Sequence, residues 1–600
     1  MKTRNQELKS LRPNRSWLFH LFFFAAILTL TSIAAQAEGP TTAPGPAKKP
    51  GRGPSRKLAV DLNSFPLNDD GTISVIIQFN EAPKAKHLAE LEAQGGHVTF
   101  TLDQINAVAV RVPLSALQWL NGHPDVLYVS PDRPNKVASD DDIPAVMDDV
   151  ARQQYGLDGT GVGIAVIDSG VFNHDDLKNA AGTASRIVYN ESFILNDPTT
   201  NDVYGHGTHV AGVLAGNGRD SQSGYPTQYV GIAPNANIIN LRVLDANGSG
   251  SDSQVIAAIQ RAIQLKNTYN IRVINLSLGR SVFESYTLDP VCQAVEGAWK
   301  AGIVVVVAAG NDGRDNSFGN QGYATINAPG NDPNVITVGA TKTNGTATRL
   351  DDTVASYSSK GPTLLDHIVK PDLVAPGNRI ASLESPGSTL ATQDSNLIVS
   401  PVTTCTMFSC TTGAPGKYLR LSGTSMATPI VAGAAALMFQ KDPTLTPDTI
   451  KARMMKTAWK GYPVNSWAYD IWGAGYFSQY DVFTIGAGYL DVYAALKNSD
   501  VVNGGAASPI AVRNTNTGTY ALINTQSITW GNSITWGSSI IWGNSIVWGS
   551  NALVSDSIIW GSSIVWGDST CSANSIIWGD SIIWGANSLV GLSDSDDGEN

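Results

Sequence analysis

Four short, strongly apolar runs separated by helical patterns dominate residues 160–310. The runs cover residues 163–167, 238–243, 273–276 and 303–308, and the helical patterns cover 209–215, 252–268 and 290–301. Strands that are apolar along their whole length and alternate with helices are typical of a parallel sheet covered on both faces. We therefore predict an α/β fold with a functional site at the carboxyl ends of its strands.

The carboxylate of Asp168 follows the first apolar run, in residues 166–170 (VIDSG). A carboxylate at a strand end can be held by backbone donors and directed at a partner. A turn aspartate before Ser-Gly is the alternative. Asp168 taken alone does not decide between the two.

Two histidines lie in the glycine-rich residues 205–212 (GHGTHVAG). The glycines let another backbone approach His206, which precedes a helix and can act as a general base. His209 lies inside an apolar helix, and we expect it to be structural. Two histidines at positions i and i+3 can also bind a metal, but the sequence shows no third ligand of suitable spacing.

The third candidate is Ser425, in residues 421–429 (LSGTSMATP), where small residues lead into an apolar helix. A serine at a helix start faces free backbone N–H groups and the positive end of the helix dipole, which stabilise a developing oxyanion. An ordinary N-cap is the alternative, but a cap needs no cleared space. Asn311 follows another apolar run and can direct its amide N–H toward the same place or form a Gly-Asn turn.

Together these motifs resemble the subtilisin-like serine peptidases, in which Asp, His and Ser occur in this order. The resemblance spans about residues 155–498 and implies a three-layer domain with a mostly parallel sheet. It assigns Ser425 as the nucleophile, His206 as the general base and Asp168 as the partner that orients the base. Asn311 and the Ser425 backbone N–H form the oxyanion hole in this assignment.

The resemblance also assigns the substrate, which is extended protein or peptide chain. The edge strand that pairs with it corresponds to Ser277, Leu278 and Gly279. The other wall of the primary specificity pocket corresponds to Ala308, Ala309 and Gly310. Because these walls carry no charge, we expect an apolar or aromatic residue before the scissile bond.

The same family often binds calcium, although its catalysis needs no cofactor. Residues 174–177 (HDDL) resemble a segment that supplies one carboxylate ligand, which is Asp176 here. The rest of that site is expected within 216–230, where this sequence has diverged. A surface aspartate that binds nothing is the alternative.

Residues 72–134 predict a small separate unit with the β-α-β-β-α-β order of a ferredoxin-like fold. The resemblance identifies it as an inhibitory propeptide, which assists folding and then blocks the protease. Residues 1–137 contain 15 basic and 11 acidic side chains, whereas the whole chain has a net charge of −11. The basic front therefore complements the acidic remainder, and we expect self-cleavage within 134–145.

The first residues have the pattern of an export signal, with a basic start, an apolar stretch over 17–35 and a small-x-small site at 35–37. An uncleaved membrane anchor is the alternative, since the stretch is nearly long enough to span a bilayer. We expect a secreted or extracytoplasmic protein. Export permits a disulfide between Cys405 and Cys410, while Cys292 and Cys571 are expected to stay unpaired.

Eight tryptophans from Trp530 to Trp584 are separated by multiples of six, in a unit of Ser-Ile-x-Trp-Gly and a polar residue. Because six is even, Ile and Trp fall on one face of every strand. A sheet of short strands, a β-solenoid and a low-complexity tail without a single structure all stay open. Residues 514–600 contain seven acidic side chains and no Lys or Arg, and the tail's partner is a cell surface, carbohydrate or the tail itself.

The predicted order is a signal peptide at 1–37, a flexible linker at 38–60, an inhibitory propeptide at 61–137, a peptidase domain at 145–498, a spacer at 499–526 and the Trp-rich repeat with its acidic tail at 527–600. The expected function is that of a secreted, self-activating serine endopeptidase. The negative net charge argues against a nucleic-acid partner. The competing hypothesis is a surface-binding or adhesive repeat protein whose peptidase domain serves only self-processing.

Overall fold

The computed structural model describes residues 57–547, apart from 60, 63–64, 69, 137–145, 147, 318, 347, 406–409, 470–473, 514–519, 524–527, 531–533, 537–540 and 543–545. The predicted signal peptide or anchor, the linker up to residue 56 and the tail from residue 548 lie outside the described residues. No helix among the described residues is long and apolar enough to cross a membrane.

The N-terminal unit, residues 72–136, follows the predicted order of elements. It contains β1 (Thr72–Phe79), α1 (Ala85–Ala93), β2 (His97–Leu102), β3 (Ala107–Pro113), α2 (Leu114–Gly122), β4 (Val126–Pro131) and β5 (Pro134–Lys136). The first four strands form an antiparallel sheet in the order β2-β3-β1-β4. Alternate residues of β1 face opposite sides, so that Val75 and Ile77 belong to the unit's own core and Ile76 packs into the core of the larger domain.

The central domain contains the strands and helices of the peptidase-like region. They are α3 (Asp148–Tyr155), β6 (Gly163–Asp168), β7 (Ile187–Ser192), α4 (His206–Ala215), β8 (Asn237–Arg242), β9 (Ser249–Ser251), α5 (Asp252–Tyr269), β10 (Ile271–Leu276), α6 (Pro290–Lys300), β11 (Val304–Ala308), β12 (Ile336–Lys342), β13 (Thr353–Val354), β14 (Leu373–Pro376), β15 (Ile380–Leu383), α7 (Thr389–Gln393), β16 (Thr403–Cys405), β17 (Cys410–Thr412), β18 (Tyr418–Leu421), α8 (Thr424–Lys441), α9 (Pro447–Thr457), β19 (Asn465–Tyr469), β20 (Gly475–Gln479) and α10 (Val492–Lys497).

The main sheet has eight strands in the order β13-β12-β11-β10-β6-β8-β7, with β14 also paired to β12. All of its pairs are parallel except β12 with β13. α4 packs beside α8 on one face, and α5 packs beside α6 on the other. The prediction of a mostly parallel sheet between two helical layers is confirmed, and β6 lies near its centre with its carboxyl end beside α4.

The described C-terminal strands are short and antiparallel. They are β21 (Val502–Asn503), β22 (Ile510–Arg513), β23 (Tyr520–Ile523), β24 (Ile528–Trp530), β25 (Ile534–Trp536), β26 (Ile541–Trp542) and β27 (Ile546–Val547). Trp530 pairs with Ile534 and Trp542 pairs with Ile546, so both repeat hairpins have the same register two units apart. The first repeat strand, β24, also pairs with β21 next to the central domain.

Candidate active site

β6 ends at Asp168, so the carboxylate lies where the sheet pattern predicts a site. Asp168 is buried, and its Oδ1 accepts a hydrogen bond from the Ser169 backbone N–H at 2.7 Å. Gly170 follows with φ 113°, and a Cβ there would lie 2.9 Å from the backbone of Asn201. The turn after the strand therefore requires glycine at this position.

His206 begins α4 and contacts Asp168 directly. Nδ1 of His206 lies 2.8 Å from Oδ1 of Asp168, and both side chains are fully buried. With the proton on Nδ1, Nε2 of a neutral ring is an acceptor, and Nε2 has no hydrogen-bond partner among the described residues. A Cβ on Gly207 would lie 2.2 Å from the Gly170 carbonyl oxygen. Glycine at position 207 therefore lets the start of α4 approach the end of β6 closely enough for His206 to contact Asp168.

Asp202 is a functional residue that the sequence analysis missed. Its Oδ1 accepts hydrogen bonds from Ser169 Oγ at 2.8 Å and from the Gly205 N–H at 2.7 Å, and its Oδ2 accepts one from the Thr208 N–H at 2.7 Å. Ser169 Oγ in turn accepts a bond from the Gly207 N–H at 2.9 Å. Burial raises the pKa of Asp202, although these donors oppose the rise. Asp202 thus ties the start of α4 to the end of β6.

Ser425 is the second residue of α8, where backbone N–H groups have no intrahelical acceptor. Its hydroxyl donates to the Ser277 carbonyl oxygen at 3.0 Å, and Ser277 Oγ donates to the Ser425 carbonyl oxygen at 2.7 Å. The structure therefore joins Asp168 to His206 but leaves the bond from Ser425 to His206 unformed. Such bonds often form only when substrate is present.

Asn311 lies directly beside the start of α8. Its Oδ1 accepts hydrogen bonds from the Thr424 N–H at 2.9 Å and from Thr424 Oγ at 3.0 Å. These two bonds hold the amide oxygen and leave the amide NH₂ group as a donor. Gly310, with φ 107°, makes the turn from β11 to Asn311. This placement permits the oxyanion role that the resemblance implies, and that role stays a prediction.

Two backbone edges flank this centre. Ser277, Leu278 and Gly279 continue from β10, and the next residue, Arg280, pairs with Ala328 through backbone bonds of 3.0 and 2.8 Å. The second edge is β9, which the sequence analysis did not identify, and which pairs antiparallel with β5 of the N-terminal unit. The sequence signal for β9 is the small-residue stretch 248–251 (GSGS) after β8.

Asn327 lies between the two glycine walls that the resemblance assigns to the specificity pocket. A Cβ on Gly279 would lie 3.1 Å from Asn327 Cβ, and a Cβ on Gly310 would lie 2.6 Å from Asn327 Nδ2. Burial raises the pKa of Asp312 beside it, and a hydrogen bond from Asn327 opposes that rise. The walls are uncharged as predicted, but a polar amide that the sequence analysis missed lies between them.

His209 does not share a metal with His206. Its Nε2 lies 2.9 Å from the Ile380 carbonyl oxygen, and burial lowers its pKa to about 3. Among the described residues, the group of His, Cys, Asp or Glu side chains that could hold a metal is His174, Asp176 and Asp220. This group contains Asp176, the residue for which calcium was expected.

The Asp176 site does not fit a calcium ion while the Lys417 ammonium group occupies the cluster. Asp176 Oδ1 accepts a hydrogen bond from the Asp220 N–H at 2.8 Å, and Oδ2 accepts one from the Tyr418 hydroxyl at 2.8 Å. The ammonium group of Lys417 lies 2.9 Å from Asp220. Both carboxylate oxygens are thus engaged by protein donors, and a protein cation already lies in the cluster.

The insertion after β15 contains the hairpin β16–β17. Cys405 and Cys410 are directly opposite in its register, and Cys410 is disulfide-bonded. Cys292 is buried as a free thiol, in agreement with the prediction. Cys571 lies outside the described residues.

Comparison with known proteins places the chain among peptidases. The model of the subtilase family matches residues 159–489. Serine protease AprX of Bacillus subtilis is 40% identical over 335 residues, which is 54% of this chain and 67% of AprX. Subtilisin Savinase of Lederbergia lenta is 35% identical over 51% of this chain and 87% of its own length, and subtilisin E of Bacillus subtilis is 31% identical over 75% and 94%. With the triad motifs in family order and the family's sheet around them, the chain belongs to the subtilases, the subtilisin-like serine proteases.

Proposed function

We propose that the chain is an exported serine endopeptidase that frees itself from an inhibitory N-terminal unit. The observation that carries the proposal is the buried contact between His206 and Asp168 at the end of β6. A general base needs one ring nitrogen held by a carboxylate and the other directed at a nucleophile. Nε2 of His206 is the nitrogen left for that purpose.

The first half of the proposed reaction forms an acyl-enzyme. Ser425 Oγ turns from the Ser277 carbonyl to His206, loses its proton to Nε2 and attacks the substrate carbonyl carbon. Asp168 keeps the ring oriented and stabilises the imidazolium. The negative charge on the substrate oxygen is bound by the Asn311 amide N–H and the Ser425 backbone N–H.

The second half releases the products. His206 returns its proton to the leaving amine, and the C–N bond breaks. A water molecule then gives a proton to His206 and attacks the acyl carbon, after which the acid departs and the Ser425 hydroxyl is restored. The edges at 249–251 and 277–279 bind the extended peptide through its backbone, which permits many sequences.

The N-terminal unit is the proposed inhibitor because its last strand pairs with β9. Asn135 is opposite Gly250 in that pairing, so β5 lies where a substrate strand is expected. The Asp132 carboxylate accepts hydrogen bonds from the N–H and the hydroxyl of Ser253 at the start of α5. Asp132 thus caps that helix from the N-terminal unit and links the two units by hydrogen bonds.

A buried charge pair also joins the two units. Arg133 is 1% exposed and donates to Glu284 of the central domain at 2.6 Å and to Asp61 at 3.0 Å. Tyr128 donates its hydroxyl to the same Glu284. We propose that self-cleavage occurs within residues 134–145.

The test combines labelling with turnover. A serine-directed phosphonate should label the purified full-length product at Ser425, and casein should be hydrolysed at a rate that falls with labelling. Ser425→Ala should remove both signals and accumulate uncleaved chain in mass spectra, whereas the matched Ser422→Ala should keep them. Labelling at Ser422 or at no residue would contradict the proposal.

The second candidate is an adhesive repeat protein whose peptidase only trims itself. The observation in its favour is the pairing of the first repeat strand with β21, which fixes the start of the repeat to the central domain. This candidate predicts phosphonate labelling and self-cleavage without hydrolysis of casein. Appreciable casein turnover after loss of the N-terminal unit would exclude it.

A further inference from the structure

Two carboxylates and a histidine gather at the turn of residues 175–177, and the Asp175 carboxylate of the same turn shares the cation Lys417 with them. His174 caps this short turn, because its Nδ1 accepts a hydrogen bond from the Asp176 N–H at 3.1 Å. Asp176 is fully buried, and Asp220 comes from the loop after α4. Ligand atoms of His174, Asp176 and Asp220 lie within 4.8 Å of one another. Such a group requires a nearby positive charge, because like charges at this distance repel each other.

Lys417 supplies that charge. Its Nζ lies 2.9 Å from Asp220 Oδ2 and 3.8 Å from Asp175 Oδ2. Burial lowers the pKa of Lys417, but the hydrogen bond to Asp220 and the charges of Asp220, Asp175 and Asp176 together outweigh this and raise it overall. The ammonium group therefore stays charged among these carboxylates. The next residue, Tyr418, donates its hydroxyl to Asp176, so adjacent residues satisfy two different carboxylates.

Of the remaining polar groups, His174 Nε2 has no hydrogen-bond partner among the described residues, and the position of its proton decides whether it can bind a metal. Because Nδ1 of His174 accepts a hydrogen bond, the neutral ring carries its proton on Nε2, which faces Asp220 at 4.0 Å. Nε2 is thus not a lone-pair donor for a metal. The Gly218 carbonyl oxygen accepts bonds from Gln228 Nε2 at 3.1 Å and from Ser221 Oγ at 3.3 Å. The loop after α4 is closed by its own hydrogen bonds.

Lys417 and Tyr418 reach this place at the end of the insertion between β15 and β18. The insertion also holds the loop from the other side, because the Val402 N–H donates to the Gly224 carbonyl oxygen at 2.9 Å. The Tyr225 hydroxyl donates to the Ala414 carbonyl oxygen. Tyr225 further packs edge-on against Tyr418, with ring centroids 4.8 Å apart. One insertion therefore supplies both the cation and the clamp.

We propose that Lys417 is the built-in cation of the Asp175, Asp176 and Asp220 group, and that the insertion carrying it replaces a bound calcium ion in holding the loop. The peptidase domain then keeps its stability at this site without divalent metal. Removal of the ammonium group should leave Asp175 and Asp220 without this cation, beside Asp176, whose oxygens each accept one hydrogen bond and keep a lone pair. Carboxylate oxygens of this kind are ligands that Ca²⁺ binds. The variant Lys417→Gln should therefore acquire a dependence on calcium that the natural chain lacks.

The test measures thermal unfolding of the full chain carrying Ser425→Ala, which prevents self-digestion. With Lys417 intact, the Tm should be the same in excess EDTA and in millimolar calcium chloride. With Lys417→Gln added, the Tm should fall in EDTA and recover in calcium by roughly 3–5 °C, as expected for an ion well above its Kd. Lys178→Gln is the matched control, because Lys178 pairs with Asp175 at 2.5 Å but not with Asp220, and it should not respond to calcium.

Two results would overturn the proposal. In the first, the chain with Lys417 intact has a Tm that falls in EDTA and recovers in calcium, and Asp176→Asn abolishes this response to calcium. The other is a Lys417→Gln variant whose Tm is insensitive to calcium. If Lys417→Gln fails to fold in EDTA, folding restored by calcium supports the proposal and folding restored by neither buffer contradicts it. Lys417→Arg retains a cation and should behave like the natural chain.

Discussion

Replacing Asp202 by asparagine should slow catalysis although Asp202 touches neither substrate nor the reacting atoms. The carboxylate accepts three hydrogen bonds, from Ser169 Oγ and from the backbone N–H groups of Gly205 and Thr208. Gly205 and Thr208 flank His206 on both sides. Asp202 is therefore a positioning residue for the base, and the variant tests that role.

The magnitude follows from those three contacts. In Asp202→Asn the amide oxygen can keep the two bonds on Oδ1, but the NH₂ group faces the Thr208 N–H across 2.7 Å. Loss of a bond to a charged acceptor costs about 1.5–3 kcal/mol, and an unpaired buried N–H adds about 1–3 kcal/mol. Burial raises the pKa of Asp202, so removal of the charge offsets part of this loss. We expect the free energy of unfolding to fall by about 2–4 kcal/mol.

A shift of the base by about 1 Å costs on the order of 10²-fold in rate, so kcat should fall by roughly 10- to 100-fold with KM nearly unchanged. The assay is hydrolysis of a chromogenic peptide at a temperature where circular dichroism shows the variant folded. Asp197→Asn is the matched control, since Asp197 lies on the same loop, is 39% exposed and pairs with Arg242. A folded Asp202→Asn enzyme with the kcat of the natural chain would refute the positioning role.

Three further predictions concern the oxyanion donor, the pocket and the inhibitor. Asn311→Ala should lower kcat by about 10²–10³-fold, the range known for the same kind of donor in subtilisin rather than one derived from this structure; steady-state kinetics with unchanged kcat would contradict the assignment. Asn327→Gly should favour peptides with a large apolar residue before the scissile bond. The ratio of their kcat/KM to that of peptides with a small polar residue there should rise by about tenfold. If competition assays show the same ratio for the variant and the natural chain, Asn327 does not line the pocket. Burial raises the pKa of Asp132 to about 6, against an ordinary value near 4 once the unit is released. Asp132 therefore binds a proton more tightly in the associated state than after release. The resulting extra stability of the association is present at low pH and is lost as the pH rises through 6. The cleaved N-terminal unit should separate up to about 10²-fold more slowly at pH 4 than at pH 7 in size-exclusion experiments, and Asp132→Asn should remove this difference; a natural chain without pH dependence would show that Asp132 keeps its environment on release.

The sequence by itself predicted the parallel sheet and named the three residues that are proposed as the catalytic triad. Runs such as 303–308 are apolar at every position, and only a strand buried on both faces tolerates that pattern, so the parallel sheet followed directly. Strands such as β12 and β14 were missed because they include Gly339 and polar threonines or are short. Asp168, His206 and Ser425 were recognisable because each lies in a local motif of glycines and small residues, which depends on neighbours in the chain.

Only the tertiary structure decided which distant groups become partners. Asp202, Asn327 and Lys417 lie in no motif that the sequence analysis recognised, and their proposed roles depend on partners distant in the chain, such as Ser169 for Asp202 and Asp220 for Lys417. The site at Asp176 shows this most clearly. The sequence identified the turn at residues 174–177 and predicted calcium there, but the cation beside its carboxylates is Lys417, which lies more than 200 positions later in the chain. Short-range patterns fix backbone conformation, whereas hydrogen bonds and ion pairs depend on distances in space that no local pattern contains.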